Sequence, residues 1–216
     1  MKLKFKHQKF QADAAKAVCD VFAGQPRVVS TYQIDPGRDG RQGKIRNVLF
    51  TGFANNRLIP ALTDAVLLKN INRIQHEQMI KPSDKIEGVG INLTVEMETG
   101  VGKTYTYIKT IYELHKLYGW SKFIIVVPSV AIREGVYKSF SVTAEHFKEE
   151  YGKQIRFFIY NSGNLQNISQ FASDSSINAM IINSQAFNAK GKDARRIRME
   201  LDEFNSRRPT SYPPSY

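Results

Sequence analysis

The most informative stretch of this sequence combines two closely spaced glycines with a lysine and a threonine, the residue types of a phosphate-binding loop. Glycines adopt backbone angles closed to other residues, so main-chain N–H groups can turn inward around a phosphate. Lys103 would reach the β- and γ-phosphates of ATP, and the Thr104 hydroxyl would ligate Mg²⁺. We therefore predict an ATP site, with Mg²⁺ as the accompanying ion, formed by Thr99-Gly100-Val101-Gly102-Lys103-Thr104.

The residues around this loop predict the elements that position it. Apolar and polar residues alternate from Ile91 to Met97, which is typical of a strand. Residues 104–118 carry apolar side chains at helical spacing, and Gly119 is a suitable stop. A helix that begins at the loop adds unpaired N–H groups and the positive end of its dipole to a phosphate site. The alternative is a glycine-rich turn that happens to precede a lysine, and the strand–loop–helix context argues against it.

Strands alternate with helices along the rest of the chain. Residues 123–127 are continuously apolar, as expected of a strand buried on both faces. Apolar runs and alternation predict further strands over 27–34, 48–50, 155–160 and 179–182. Helical spacing predicts one helix over 9–22, one or two over 58–79, and others over 131–140 and 193–204. This order predicts an α/β fold with a mostly parallel sheet and right-handed crossovers.

Composition and charge narrow the class of protein. The chain has 216 residues, of which 42% are hydrophobic and 24% charged, as in soluble globular proteins. Its 31 basic and 20 acidic residues give a formal charge of +11, a field that attracts polyanions such as nucleic acid. No apolar run approaches the roughly 20 residues that span a bilayer, and no apolar segment follows the basic N-terminus. One cysteine, Cys19, excludes a disulfide framework. We expect a cytoplasmic protein without a membrane partner.

The sequence of this loop, with Met97 where the general pattern has glycine, resembles the corresponding motif of superfamily 2 helicases and translocases. Upstream, Phe10-Gln11-Ala12-Asp13-Ala14 resembles their adenine-reading glutamine motif. The resemblance implies that Gln11 recognises the base, since an amide donates and accepts at once, as the edge of adenine requires. The alternative for Gln11 is a solvated helical residue. Phe5 or Phe10 would pack on the adenine ring, although core packing explains either equally well.

Two later segments resemble the superfamily's DNA-contacting motifs. The first spans 126–136, where Ser129 and Arg133 would give a hydroxyl and a cation to phosphate oxygens of one DNA strand. The second is Ile182-Asn183-Ser184-Gln185-Ala186-Phe187, in which Asn183 and Gln185 are the candidates. Both contacts support affinity rather than sequence reading. The alternative in each case is an ordinary polar connection after a strand.

Taken together, the wording of these motifs resembles the restriction (Res) subunit of type III restriction–modification enzymes, from near Met1 to about Pro209. The resemblance implies a RecA-like P-loop fold, with 1–209 as the N-terminal portion of the first motor domain and 35–90 as an insertion between adenine motif and loop. It further implies double-stranded DNA and a methyltransferase (Mod) subunit as partners. ATP-dependent, site-specific DNA cleavage would belong to the full enzyme. The proline-bearing segment 210–216 differs in composition and is predicted to be a disordered or non-native tail.

The family's next element, a strand ending in an Asp-Glu box that holds Mg²⁺ and activates water, has no counterpart in these residues. Asp202-Glu203 is the only late acidic pair, and its charged surroundings indicate a solvated helix face. The second motor domain and the nuclease carboxylates are also missing. We therefore expect no catalytic residues, no activity from this chain alone, and an incomplete sheet in which 123–127 lacks its usual neighbours.

Three other interpretations stay open on sequence alone. The chain could derive from another superfamily 2 helicase or a type I restriction motor subunit, which its genomic neighbours would distinguish. It could be a stand-alone nucleotide-binding module without turnover. A merely basic DNA-binding protein without nucleotide is the remaining alternative, which a nucleotide titration would expose.

Overall fold

The computed structural model describes residues 5–35, 50–86, 90–161 and 165–184. Five helices and five strands follow one another in these ranges. The helices are α1 (Lys9–Asp20), α2 (Asp64–Glu77), α3 (Lys103–Tyr118), α4 (Val130–Tyr151) and α5 (Leu165–Ser173). The strands are β1 (Tyr32–Asp35), β2 (Phe50–Phe53), β3 (Lys122–Val127), β4 (Arg156–Ile159) and β5 (Asn178–Asn183). No helix in the described ranges is long and apolar enough to cross a bilayer.

A parallel sheet of three strands, in the order β3-β5-β4, forms the centre of the fold. Helix α4 connects β3 to β4 and α5 connects β4 to β5, which is the crossover arrangement predicted from the alternation of elements. Every residue of the middle strand β5 is buried, and Val127 at the end of β3 lies opposite Asn183 at the end of β5. Because the strands are parallel, both residues lie at the same carboxyl edge of the sheet.

The main hydrophobic core packs α3 and α4 onto one face of this sheet. Phe147 on α4 and Ile181 on β5 are fully buried, with Ile108 on α3 nearly so. Two glycines with positive φ end the covering helices: Gly119 after α3 (φ 79°) and Gly152 after α4 (φ 66°). A Cβ at Gly119 would lie 2.2 Å from the Val28 carbonyl oxygen, so glycine is required there for space as well as for conformation.

A second hydrophobic cluster joins α1 and α2 through buried residues that include Val21, Leu67 and Ile74. It receives Ile91 and Leu93 from the segment that leads into the glycine-rich loop. Helix α1 also packs along α3, and the Tyr118 hydroxyl donates to the Cys19 carbonyl oxygen over 2.8 Å. The α1–α2 unit therefore supports the loop helix α3 through α1.

The α/β class, the parallel sheet and its incompleteness are confirmed, but two local predictions were wrong. Residues 91–97 form no strand: the predicted alternation of burial fails at Val95, which is 46% exposed, and the segment pairs with no described strand. An extended segment without a ladder of hydrogen bonds is not a strand, and periodicity alone cannot reveal the partner. Strand β3 is not buried on both faces, because Ile124 and Val126 are 38% and 54% exposed.

Strand β3 is an edge strand of the described sheet, as expected from its missing neighbours. The Asn55 side chain covers the first part of its free edge. Its amide donates to the Lys122 carbonyl over 2.7 Å and accepts from the N–H groups of Ser121 and Lys122. One asparagine thus takes the place of a strand at the beginning of this edge.

Several boundaries differ from their predictions. The strand predicted over 27–34 begins only at Tyr32, and the helix predicted over 131–140 continues to Tyr151. Residues 58–79 hold a single helix, α2. The helix predicted over 193–204, the pair Asp202-Glu203 and the tail 210–216 lie outside the described residues. The division into 1–209 with an insertion at 35–90 stays a prediction, although α2 within that insertion contributes to the second core.

Candidate nucleotide-binding site

The glycine-rich loop takes the backbone conformations that its glycines predict. Gly100 has φ +82° and Gly102 has φ +90°, both in the region that favours glycine. Gly102 is the residue before α3, which begins at Lys103. A Cβ at Gly100 would meet no atom within 4 Å, so the loop is open on that side. These two features are compatible with a phosphate bound at the loop.

The beginning of α3 has the character of an anion site. No side chain caps it, and its first turn contains no acidic residue. The N–H groups of that turn and the positive end of the helix dipole are thus available to an anion. The Lys103 side chain is exposed beside them. These residues fit the phosphates of a nucleotide: the loop amides and Lys103 would hold them, and Thr104 would supply a hydroxyl to Mg²⁺.

Gln11 lies against this loop although 90 residues separate the two in sequence. Its side chain is buried, and Nε2 donates to the Val101 carbonyl oxygen over 2.8 Å. A Cβ on Gly102 would lie 2.5 Å from the same Nε2 atom. Gln11 is therefore not a solvated helical residue. Its amide holds the loop directly, a role that the resemblance did not imply, while its recognition of adenine stays a prediction.

An aromatic and histidine cluster beside the loop was missed from the sequence. The Tyr105 hydroxyl and His146 Nε2 are hydrogen-bonded at 2.8 Å. The Phe5 ring stacks on Tyr105 at 6.0 Å between centroids and is tilted against His146 at 5.0 Å. Burial lowers the pKa of His146, with nearby Glu150 opposing that effect. Phe5 thus has a packing role, whereas Phe10 next to Gln11 is 47% exposed. Only the fold brings these residues together, and no sequence spacing could have identified them.

Three of the four residues predicted to contact DNA lie at the carboxyl edge of the sheet. Ser129 is the N-cap of α4, and its hydroxyl accepts from the Ile132 N–H over 3.3 Å. Arg133, in the first turn of α4, pairs with Glu134 at 3.0 Å. Asn183 ends β5 and is 8% exposed. Gln185 lies outside the described residues. Their contact with DNA stays a prediction, and Ser129 has in addition a structural role as a cap.

The parallel α/β sheet, together with a glycine-rich loop that opens a helix packed on it, defines a RecA-like P-loop domain of the helicase class. The family described as "Type III restriction enzyme, res subunit" matches residues 68–206, and the chain belongs to this family. The match includes the loop and all four candidate DNA contacts, and it begins after Gln11.

Three relatives resemble parts of the chain. The EcoP15I Res subunit of Escherichia coli is 38% identical over 119 residues, which are 54% of this chain and 12% of that protein. The EcoPI Res subunit of Escherichia phage P1 is 38% identical over 104 residues, 47% of this chain and 11% of the relative. The StyLTI Res subunit of Salmonella typhimurium is 47% identical over 62 residues, which are 28% of this chain and 6% of the relative. The chain therefore spans only a small part of the length of these relatives.

Proposed function

We propose that this chain binds ATP with Mg²⁺ and is the ATP-binding part of a DNA-dependent motor in a type III restriction enzyme. Site-specific DNA cleavage and a methyltransferase (Mod) partner in the cytoplasm belong to the full enzyme in this proposal. Binding, rather than hydrolysis, is the activity we propose for these 216 residues. The reason is that the late acidic pair, Asp202-Glu203, has charged surroundings rather than those of a buried strand that would deliver an Asp-Glu box.

The observation that carries the proposal is the uncapped beginning of α3. Two glycines at positive φ lead into it, Lys103 stands exposed at its first position, and Thr104 follows. Each of these features serves an anion: the amides and dipole attract it, and the lysine neutralises it. A turn with a purely structural role does not need this combination of glycines, uncapped helix, lysine and threonine.

Lys103→Ala tests the nucleotide part of the proposal, with Lys116→Ala as its matched control. Lys116 is an exposed lysine in the last turn of the same helix, so both variants remove one positive charge from α3. We expect Lys103→Ala to weaken ATP binding severely and Lys116→Ala to leave it unchanged, in equilibrium titrations of the 216-residue chain with Mg²⁺. An equal effect of the two substitutions would show that only net charge matters.

The DNA part of the proposal is supported by the +11 charge and by the polar residues at the sheet's carboxyl edge. If Arg133 contacts a backbone phosphate, Arg133→Ala should weaken binding of duplex DNA similarly for unrelated sequences. It should also reduce the slope of log K against log salt by about one. A change confined to one DNA sequence would contradict a phosphate contact.

A further inference from the structure

Tyr107 carries a buried hydroxyl that the fold leaves without a hydrogen-bond partner among the described residues. It lies in α3, three residues after Thr104, and its ring packs against the main core. Buried polar groups are hydrogen-bonded in the great majority of cases, so an unsatisfied one needs an explanation. Residues three apart on a helix are neighbours on the same face, so the Tyr107 and Thr104 side chains share one face of α3.

Thr104 differs from the other helical threonines in where its own hydroxyl can go. Thr106, Thr110 and Thr143 each donate to the carbonyl four residues earlier, over 2.8 to 3.2 Å. The residue four before Thr104 is Gly100, which lies in the loop ahead of the helix. Because Gly100 is not part of the helix, its carbonyl does not take the regular position of an acceptor for the Thr104 hydroxyl.

The Thr104 side chain is close enough to affect the Tyr107 phenol. Burial raises the pKa of that phenol, and the nearby Thr104 side chain opposes the effect.

We propose that Tyr107 is a positioning residue for the Mg²⁺ ligand of this site: its oxygen accepts the Thr104 proton and so turns the Thr104 lone pairs toward the ion. A neutral hydroxyl ligand gives a lone pair to the metal, and its proton needs an acceptor elsewhere. Outer partners of this kind fix the orientation of metal ligands. The inference rests on the proposed function, because without bound Mg²⁺ and ATP there is nothing for Thr104 to ligate.

Tyr107→Phe removes the oxygen and keeps the ring, with Tyr137→Phe on α4 as a control remote from Thr104. ATP affinity of the 216-residue chain is measured in Mg²⁺ and again in EDTA. We expect Tyr107→Phe to weaken binding roughly tenfold in Mg²⁺, as for other partners of metal ligands, and not in EDTA. The unfolding temperature without nucleotide should not fall, since the lost hydroxyl is buried and has no hydrogen-bond partner among the described residues.

A double variant separates positioning from packing. In a Thr104→Val background the Mg²⁺-specific effect of Tyr107→Phe should disappear, because the ligand it orients is gone. Equal losses in Mg²⁺ and EDTA, or no loss in either, would overturn the role of Tyr107 while ATP binding by the unmodified chain still stood. Absence of ATP binding by the unmodified chain in both solutions would instead overturn the proposed function.

Discussion

Substituting Gly102 by alanine tests how the glycine-rich loop is held in shape before any ligand binds. Gly102 has φ +90° and ψ 38°, and a Cβ there would lie 2.5 Å from Gln11 Nε2. Alanine therefore meets two separate penalties. The backbone must adopt a left-handed conformation, and the Gln11 amide must move away from the Val101 carbonyl to which it donates.

The size of each penalty follows from its cause. A left-handed conformation costs a non-glycine residue roughly 1–2 kcal/mol. Loss of the hydrogen bond between Gln11 and Val101 costs a further ~0.5–1.5 kcal/mol, because it is an ordinary neutral bond in a partly buried place. Gly102→Ala should therefore lower the free energy of unfolding by about 1.5–3.5 kcal/mol, the sum of these two contributions.

Gly100→Ala is the matched control, since Gly100 has a similar φ of +82° but its Cβ would meet nothing within 4 Å. It should show the backbone penalty alone. Urea unfolding without nucleotide, followed by circular dichroism, measures both variants, and the difference between them isolates the Gln11 contact. With a denaturant slope of roughly 1–3 kcal/mol/M, that difference corresponds to a few tenths of a molar or more in the midpoint.

A Gln11→Ala background makes the test decisive. Without the glutamine amide, Gly102→Ala should cost no more than Gly100→Ala. Equal free energies of unfolding for Gly102→Ala and Gly100→Ala when Gln11 is present would refute the described packing of Gln11 on the loop. A difference between them that persists in the Gln11→Ala background would refute it as well.

Three further predictions concern the frame around the site. Ser129→Ala should destabilise the chain by about 1 kcal/mol, because the hydroxyl that caps α4 is lost, whereas Ser129→Asp should preserve most of that stability in the same urea assay. Burial lowers the pKa of Lys122 from 10.5 to about 8, so above pH 8 the unfolded chain binds more protons than the folded chain. The free energy of unfolding of the unmodified chain should therefore rise from pH 8 to 9.5, relative to that of Lys122→Met. In hydrogen exchange, amides of the central strand β5 should exchange more slowly than those of the edge strand β3, and equally strong protection along all of β3 would contradict its free edge.

The sequence predicted most of the features whose causes are local. The loop, the helix that follows it and the strands of the parallel sheet are each signalled by nearby residues: glycines, helical spacing and short apolar runs. The resemblance of residues 10–14 to a family motif then connected Gln11 to a loop 90 residues away, and the structure places the two in contact.

Features that depend on distant partners could not be predicted in this way. The 91–97 segment has the sequence alternation of a strand, but no described strand pairs with it. The contact of Phe5 with Tyr105 and His146 joins the beginning of the chain to α3 and α4, and nothing in the local pattern of any of them indicates it. Burial of Ile124 and Val126 likewise depends on what covers the second face of the sheet, which a run of apolar letters does not specify.

The central claim, that the loop at 99–104 grips phosphates, is tested most directly by calorimetry of the 216-residue chain with ATP, ADP and AMP in the presence of Mg²⁺. Lys103 and the amides beside it are expected to hold the β- and γ-phosphates. Affinity should therefore be retained for ATP and ADP, fall steeply for AMP, and be lost for ATP in Lys103→Ala. Equal affinity for all three nucleotides, or no heat with any of them, would contradict the account.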